Sequence, residues 1–454
     1  MSHSKSFFTR HPAVVPVLLG LAIVIVSALA LVYAIGSRDA LPPADGDLAL
    51  ERLEIPDEAN AYTAFIAAAE AYAPPTPANL LSDYLEGRPV DTNALKAVIA
   101  SNDVSHALLC QGTARAFCIV PRVAGVDIST PYLGSWLKLL RVLQVRGALV
   151  RGDGYYAEAS DAYATLIRFG TLVPEHPETL IQYFIGRAIL ETGLTAAVNL
   201  AQDSDAPTEA LHTVAETMAQ VPPLTNGFIR AMKAEYRLGV LGIDAVAAGT
   251  APPHMQIDPW QASLGDLLRI GVRPLPRYLI QPNKTKRLYA DHIRDIIENA
   301  PRCYADMTLT PRPVQSIVDQ ALVIAKPNSV GNMTLQLMNP VLDAQLERLC
   351  ASRSNLAAAR LVVALQLHRR EHGAFPERLD ALVPGELEAV PLDPFDGRPF
   401  RYDAKRRIVY SVGKNLVDDG GSSLRLEGSA SDPESRRRWN AEDAVYRIEA
   451  AFGK

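Results

Sequence analysis

Residues 368–372 read His-Arg-Arg-Glu-His, the H-x-x-E-H pattern in which two histidines ligate zinc and the glutamate activates a water. On a helix, His368 and His372 share one face and chelate a single metal, leaving Glu371 as general base. A zinc centre needs a third protein ligand, which the motif itself does not supply. Two features oppose a metal here. The motif ends one residue before Gly373, so it sits on a helix terminus, whereas metal ligands need a rigid, supported platform. Arg369 and Arg370 also place two cations beside the ion and mark a turn that faces solvent. The favoured reading is therefore the exposed last turn of a helix, with no cofactor. A zinc enzyme is the alternative.

Other chemistry-bearing patterns are sparse. Ser411-Val412-Gly413-Lys414 spells S-x-x-K, but it leaves a strand rather than opening a helix, and the companion boxes are absent. No G-x-S-x-G, phosphate loop or dinucleotide fingerprint occurs. The four cysteines, Cys110, Cys118, Cys303 and Cys350, contain no C-x-x-C pair. An oxidising compartment would permit two disulfides. Cys110–Cys118 with Cys303–Cys350 is the most local of the three pairings. Asn283-Lys284-Thr285 and Asn332-Met333-Thr334 match the glycosylation triplet but read as capping residues at loop–helix junctions.

The elements around the histidines are well marked. Leu356, Ala359, Val363 and Leu367 recur at helical spacing from Asn355 to about Glu371, and Gly373 and Pro376 stop the helix. A short helix from Glu377 to Val383 comes next. Two strands, Pro399–Asp403 and Arg407–Val412, then close the segment. Upstream, Tyr62, Phe65, Ile66 and Ala69 mark one helix, and Trp136, Leu139, Leu140 and Leu143 mark another. The passage LVRGDGYYAEASDAYATLI resembles a tetratricopeptide-like hairpin, in which small residues let two helices approach around an aromatic wedge. Further helices are expected over 178–201, 207–219, 226–248, 286–299 and 312–326.

Residues 355–421 resemble the globular part of type II secretion pseudopilins. The likeness rests on an ordered set of words: Gly373-Ala374-Phe375-Pro376 after a long helix, Pro391-Leu392-Asp393-Pro394, and a final Tyr410-Ser411-Val412-Gly413 strand. The chain departs from that family in its anchor, which lies more than 300 residues away and lacks the processing site. The resemblance implies a bacterial envelope protein that does not assemble as a pilin. It also raises a calcium site at Asp418 and Asp419, since some pseudopilins bind calcium in the loop after that strand. Here the rest of the calcium loop is unmatched, and Asp418-Asp419-Gly420-Gly421 reads as a solvated turn. The zinc alternative has its own family likeness: inverzincin metallopeptidases take their third ligand from a distant glutamate, and Glu449 lies beyond His372 at a similar spacing.

Composition bounds the rest. A 454-residue chain with 48% hydrophobic and 21% charged residues exceeds one ordinary core. Its net charge of −5 gives no basic footprint for nucleic acid. From Ala13 to Ile35 no charge interrupts an apolar run, which spans about 34 Å as a helix and crosses a bilayer. Lys5 and Arg10 precede it, and Asp39, Asp45 and Asp47 come after it, which places the N-terminus in the cytoplasm and the bulk outside. Ala28-Leu29-Ala30 has the form of a cleavage site, but the apolar run continues past it, so an uncleaved anchor is the reading.

The expected fold class is mainly α, with a transmembrane helix, a helical-array ectodomain and a small α+β module. Residues 1–12 form a cytoplasmic tail, 13–35 the span and 36–56 a tether. Residues 57–350 form the helical domain and 351–454 the terminal module with its tail. The expected protein is a single-pass inner-membrane scaffold or adaptor with its bulk in the periplasm. It is non-catalytic and binds a protein partner.

Overall fold

Helix-forming periodicity dominates the chain, and the computed structural model is mainly helical. It describes residues 14–125, 130–250, 277–310, 326–426 and 438–449. In chain order the longer helices are α1 (Val14–Gly36), α2 (Ala61–Glu70), α3 (Leu80–Leu85), α4 (Thr92–Ser101), α5 (Asp103–Thr113), α6 (Pro131–Gly152) and α7 (Tyr156–Leu172). They continue with α8 (Leu180–Ala201), α9 (Thr208–Ala219), α10 (Leu224–Ala248), α11 (Pro282–Asn299) and α12 (Ser329–His372). The strands are β1 (Arg401–Asp403), β2 (Ile408–Ser411) and β3 (Ala444–Arg447). The helix expected at 312–326 lies outside the described residues but for its last. The chain divides into two compact units, one of residues 1–47, 239–292 and 311–340, the other of 48–238, 293–310 and 341–454.

In the first unit, Pro16–Gly36 is long and apolar enough to cross a membrane, with a mean hydropathy of 2.8 and none of it buried. The chain just beyond α1 is fastened rather than loose. The Asp39 carboxylate accepts the backbone N–H groups of Asn283 at 3.0 Å and Lys284 at 3.1 Å, which caps the open end of α11. Tyr33 stacks on Tyr278 with centroids 5.3 Å apart. Asn283 donates its side-chain amide to the Ala40 carbonyl at 3.0 Å, so the first glycosylation triplet serves a loop–helix junction.

In the second unit, α2 and α5–α9 share a core centred on Phe65, Trp136 and Phe169, all fully buried. Phe65 and Phe169 meet edge-on with centroids 4.6 Å apart. α6 and α7 form a hairpin through Gly154, which takes φ +85°. Within it the Tyr163 ring lies where a side chain at Gly147 would stand. Leu48 and Leu50, within the stretch 36–56 expected as a tether, are buried too.

The domain boundary expected at 350 does not exist. α12 runs unbroken across it for 44 residues and serves two cores from opposite faces. Leu356, Ala359, Val363 and Leu367 join the helical core, whereas Leu361, Val362 and Leu365 pack with Leu382, Phe400, Val409 and Ile448. A helix apolar on both sides must be covered on both, which binds the terminal segment into the same unit. The strands form an antiparallel sheet in the order β1-β2-β3, with Tyr402 opposite Val409 and Val409 opposite Tyr446. The short helix expected over Glu377 to Val383 is a single 3-10 turn, Leu379–Leu382.

Candidate functional site

Two places in the second unit gather polar chemistry. The first is the end of α12. The His368 Nδ1 lies 2.8 Å from a Glu386 oxygen, with both side chains mostly buried. The His372 ring stacks on His368 with centroids 4.1 Å apart, and its Nδ1 donates to the His368 carbonyl at 3.1 Å. One ligand atom from each of His368, His372 and Glu386 lies within 4.8 Å of the other two. Among the described residues these are the three that meet this geometry.

The expected zinc set is thus corrected in one member. Glu449 is held by Arg369 and Arg407 in two ion pairs and takes no part in the cluster. Glu371, the would-be base, sits on the exposed side with an oxygen 3.7 Å from His212 Nε2. The terminus is also better supported than its sequence suggests. Gly373 takes φ +80° and its N–H closes on the Arg369 carbonyl at 2.8 Å, a left-handed cap that satisfies the last turn. Arg370 is not solvated either, since it donates to the carbonyls of Ala201 and Asp203 at 3.3 and 2.8 Å.

The second place is a cleft of about 1140 Å³ between α8, the middle of α12 and the edge strand β3. Its lining carries Arg187, Arg348, Lys414, Arg438 and Arg447 against only Glu191 and Glu347. Glu191 is already committed, to Arg187 at 3.2 Å and to the Ser352 hydroxyl at 2.7 Å. Phe184, Trp439 and Tyr446 supply aromatic surface. Arg438 lies 4.1 Å above the Tyr446 ring, and Trp439 stacks on Phe395 at 5.5 Å. Burial raises the Tyr446 hydroxyl well above its ordinary range, so it stays a donor, here to Asn355 at 2.7 Å. None of His368, Glu371 and His372 lines this cleft.

Asp393 supports the cleft's sheet from behind. One oxygen accepts from the Phe395 N–H at 3.0 Å and the Ser411 hydroxyl at 2.8 Å. The other accepts from the Val412 N–H at 2.9 Å and Arg401 at 3.1 Å. A fully buried carboxylate so surrounded is a structural tie. Burial still pushes its carboxyl above the ordinary range, against the lowering by those bonds.

The two calcium candidates have separate partners. Asp418 accepts from the Tyr410 hydroxyl and the Gly420 N–H, both at 3.1 Å, whereas Asp419 accepts from the Asn415 amide at 2.9 Å. The two carboxylates serve separate turns. All four cysteines are free thiols, which overturns the expected disulfides. Cys110 Sγ faces His106 at 3.4 Å and Cys303 Sγ donates to Asp306 at 3.1 Å, while Cys118 and Cys350 are buried in apolar cores. No protein-family model, curated protein or solved structure matches this chain.

Proposed function

We propose that this protein is a membrane-anchored, non-catalytic scaffold of the bacterial cell envelope that holds an acidic protein segment in the cleft between α8, α12 and β3. The observation that carries this reading is the lining: outside the Arg187–Glu191 pair, four cations stand against one carboxylate, around three aromatic side chains. A cleft of that charge attracts carboxylates and offers rings for apolar anchors. β3 is an edge strand of the sheet and lines the cleft with Val445 and Arg447, which suits an extended segment. The pseudopilin-like order of motifs and the tetratricopeptide-like hairpin support an envelope protein built for binding. The apolar α1 supports a single anchor with the bulk in the periplasm.

A photocrosslinking residue at Thr195, inside the cleft, tests this in native membranes, beside calorimetry of the purified chain with a glutamate-rich peptide and a lysine-rich control. The glutamate-rich peptide is expected to bind more tightly, with an affinity that falls as salt rises. Arg348→Glu with Arg447→Glu is expected to abolish both that binding and the Thr195 adduct. Equal binding of the two peptides, an adduct that survives the double charge reversal, or zinc-dependent peptide hydrolysis by the purified chain would each overturn the proposal.

A further inference from the structure

We propose that His368, His372 and Glu386 form a site for a divalent transition metal such as zinc that clamps the end of α12 to the turn carrying Glu386. This stands apart from the cleft, because none of the three side chains lines it.

The donor set is the first argument. Two imidazoles and one carboxylate are a common protein complement for a four-coordinate zinc ion, leaving one position for water. Nitrogen donors disfavour calcium and magnesium, which take oxygen. The second argument is distance. Zinc bonds of about 2.0–2.2 Å place neighbouring donors roughly 3–4 Å apart, and one atom of each residue already lies within 4.8 Å of the others. Small side-chain rotations close the remaining gap.

Support and access are the third. Burial differs usefully across the set: the His368 and Glu386 side chains are 13% and 7% exposed, whereas His372 is exposed and opens the path for the ion. The backbone of Glu386 is held by its N–H on the Leu382 carbonyl at 2.9 Å, and Leu382 is fully buried in the core beneath the sheet. His372 Nδ1 is engaged by a backbone carbonyl, which fixes the ring and leaves Nε2 for the metal. Finally, of the two arginines that argued against an ion, Arg369 is ion-paired with Glu449 at 2.6 Å and Arg370 is held on the Ala201 and Asp203 carbonyls.

The site differs from the peptidase reading in its third ligand and its role. Glu386 replaces Glu449, and the ion joins two pieces of backbone rather than activating water in a substrate cleft. The test uses the full chain in detergent, purified without a histidine tag, stripped with chelator and titrated with zinc chloride. One zinc per chain is expected, with a raised melting temperature. Cobalt should give the visible absorption of a four-coordinate nitrogen–oxygen site. His372→Ala removes an exposed ligand at little structural cost and is expected to abolish stoichiometric binding. Glu386→Gln should weaken it by about tenfold or more. Absence of stoichiometric zinc in the native chain, or zinc binding unchanged in His372→Ala, would overturn the proposal.

Discussion

Burial and the neighbouring Arg230 guanidinium hold the His176 imidazole at a pKa of about 4, against its ordinary 6.5. Its Nδ1 is buried with no hydrogen-bond partner, and its ring leans on Phe117 with centroids 5.7 Å apart. Above pH 6.5 the imidazole is neutral in both the folded and unfolded chain and stability does not depend on it. As the pH falls from about 6.5 toward 4, the unfolded chain takes up a proton that the folded one refuses, so stability drops across that window. Urea midpoints measured from pH 7 to 4.5 should decline, and His176→Phe should flatten the part of the decline that this residue causes. Single residues also show where sequence reading reached its limit. Asp393 stood in one motif and Ser411 in another, and only the fold joins them through a buried carboxylate. Glu386 was invisible for the same reason. It stands 14 positions beyond His372 in an irregular turn, and no local period links a turn residue to a helix end.

At the scale of elements, helix periodicity was the legible signal. The spans expected at 178–201 and 207–219 are α8 and α9 to within two residues, because each carries a long apolar stripe and is stopped by a polar or proline-bearing turn. Strand β3 was missed: Ala444, Tyr446 and Ile448 alternate inward, but three positions next to charged residues are too short a pattern to read. The length of α12 was missed as well, since Pro340 lies inside it and proline ordinarily marks an end. Periodicity is silent on how closely helices approach. A methyl group at Gly170 would stand 2.2 Å from the Leu190 backbone nitrogen and 2.4 Å from its Cα, so α7 and α8 touch backbone to backbone. Gly170→Ala should therefore lower stability by about 1–3 kcal/mol, despite alanine's better helix propensity. Gly134, in α6, is exposed and meets nothing within 4 Å, so Gly134→Ala should instead raise stability, by up to about 1 kcal/mol. Paired thermal melts separate the two signs, and a destabilised Gly134→Ala or an unperturbed Gly170→Ala would contradict this packing.

For the whole molecule, compartment and thiol chemistry must agree. The proposed periplasmic location is oxidising, yet the four cysteines are free thiols. Burial reconciles the two: it pushes the Cys350 thiol up to about 12 and Cys118 higher still, which suppresses the reactive thiolate. Cys303 is raised too, by burial first and then by its bond to Asp306. α1 bears on the other half of the question, because a charge-free helix of 23 residues is long and apolar enough to cross a membrane, as an anchor or a signal sequence would. The full chain should sediment with membranes and resist carbonate extraction, while a chain starting at Ser37 should be released. Protease added to spheroplasts should then degrade everything beyond α1, and denatured, unreduced chain from the same membranes should retain the thiols of the buried Cys118 and Cys350. Protection from the protease would reverse the proposed topology. Loss of the Cys118 or Cys350 thiol would mean that burial does not shield these two cysteines as their surroundings indicate.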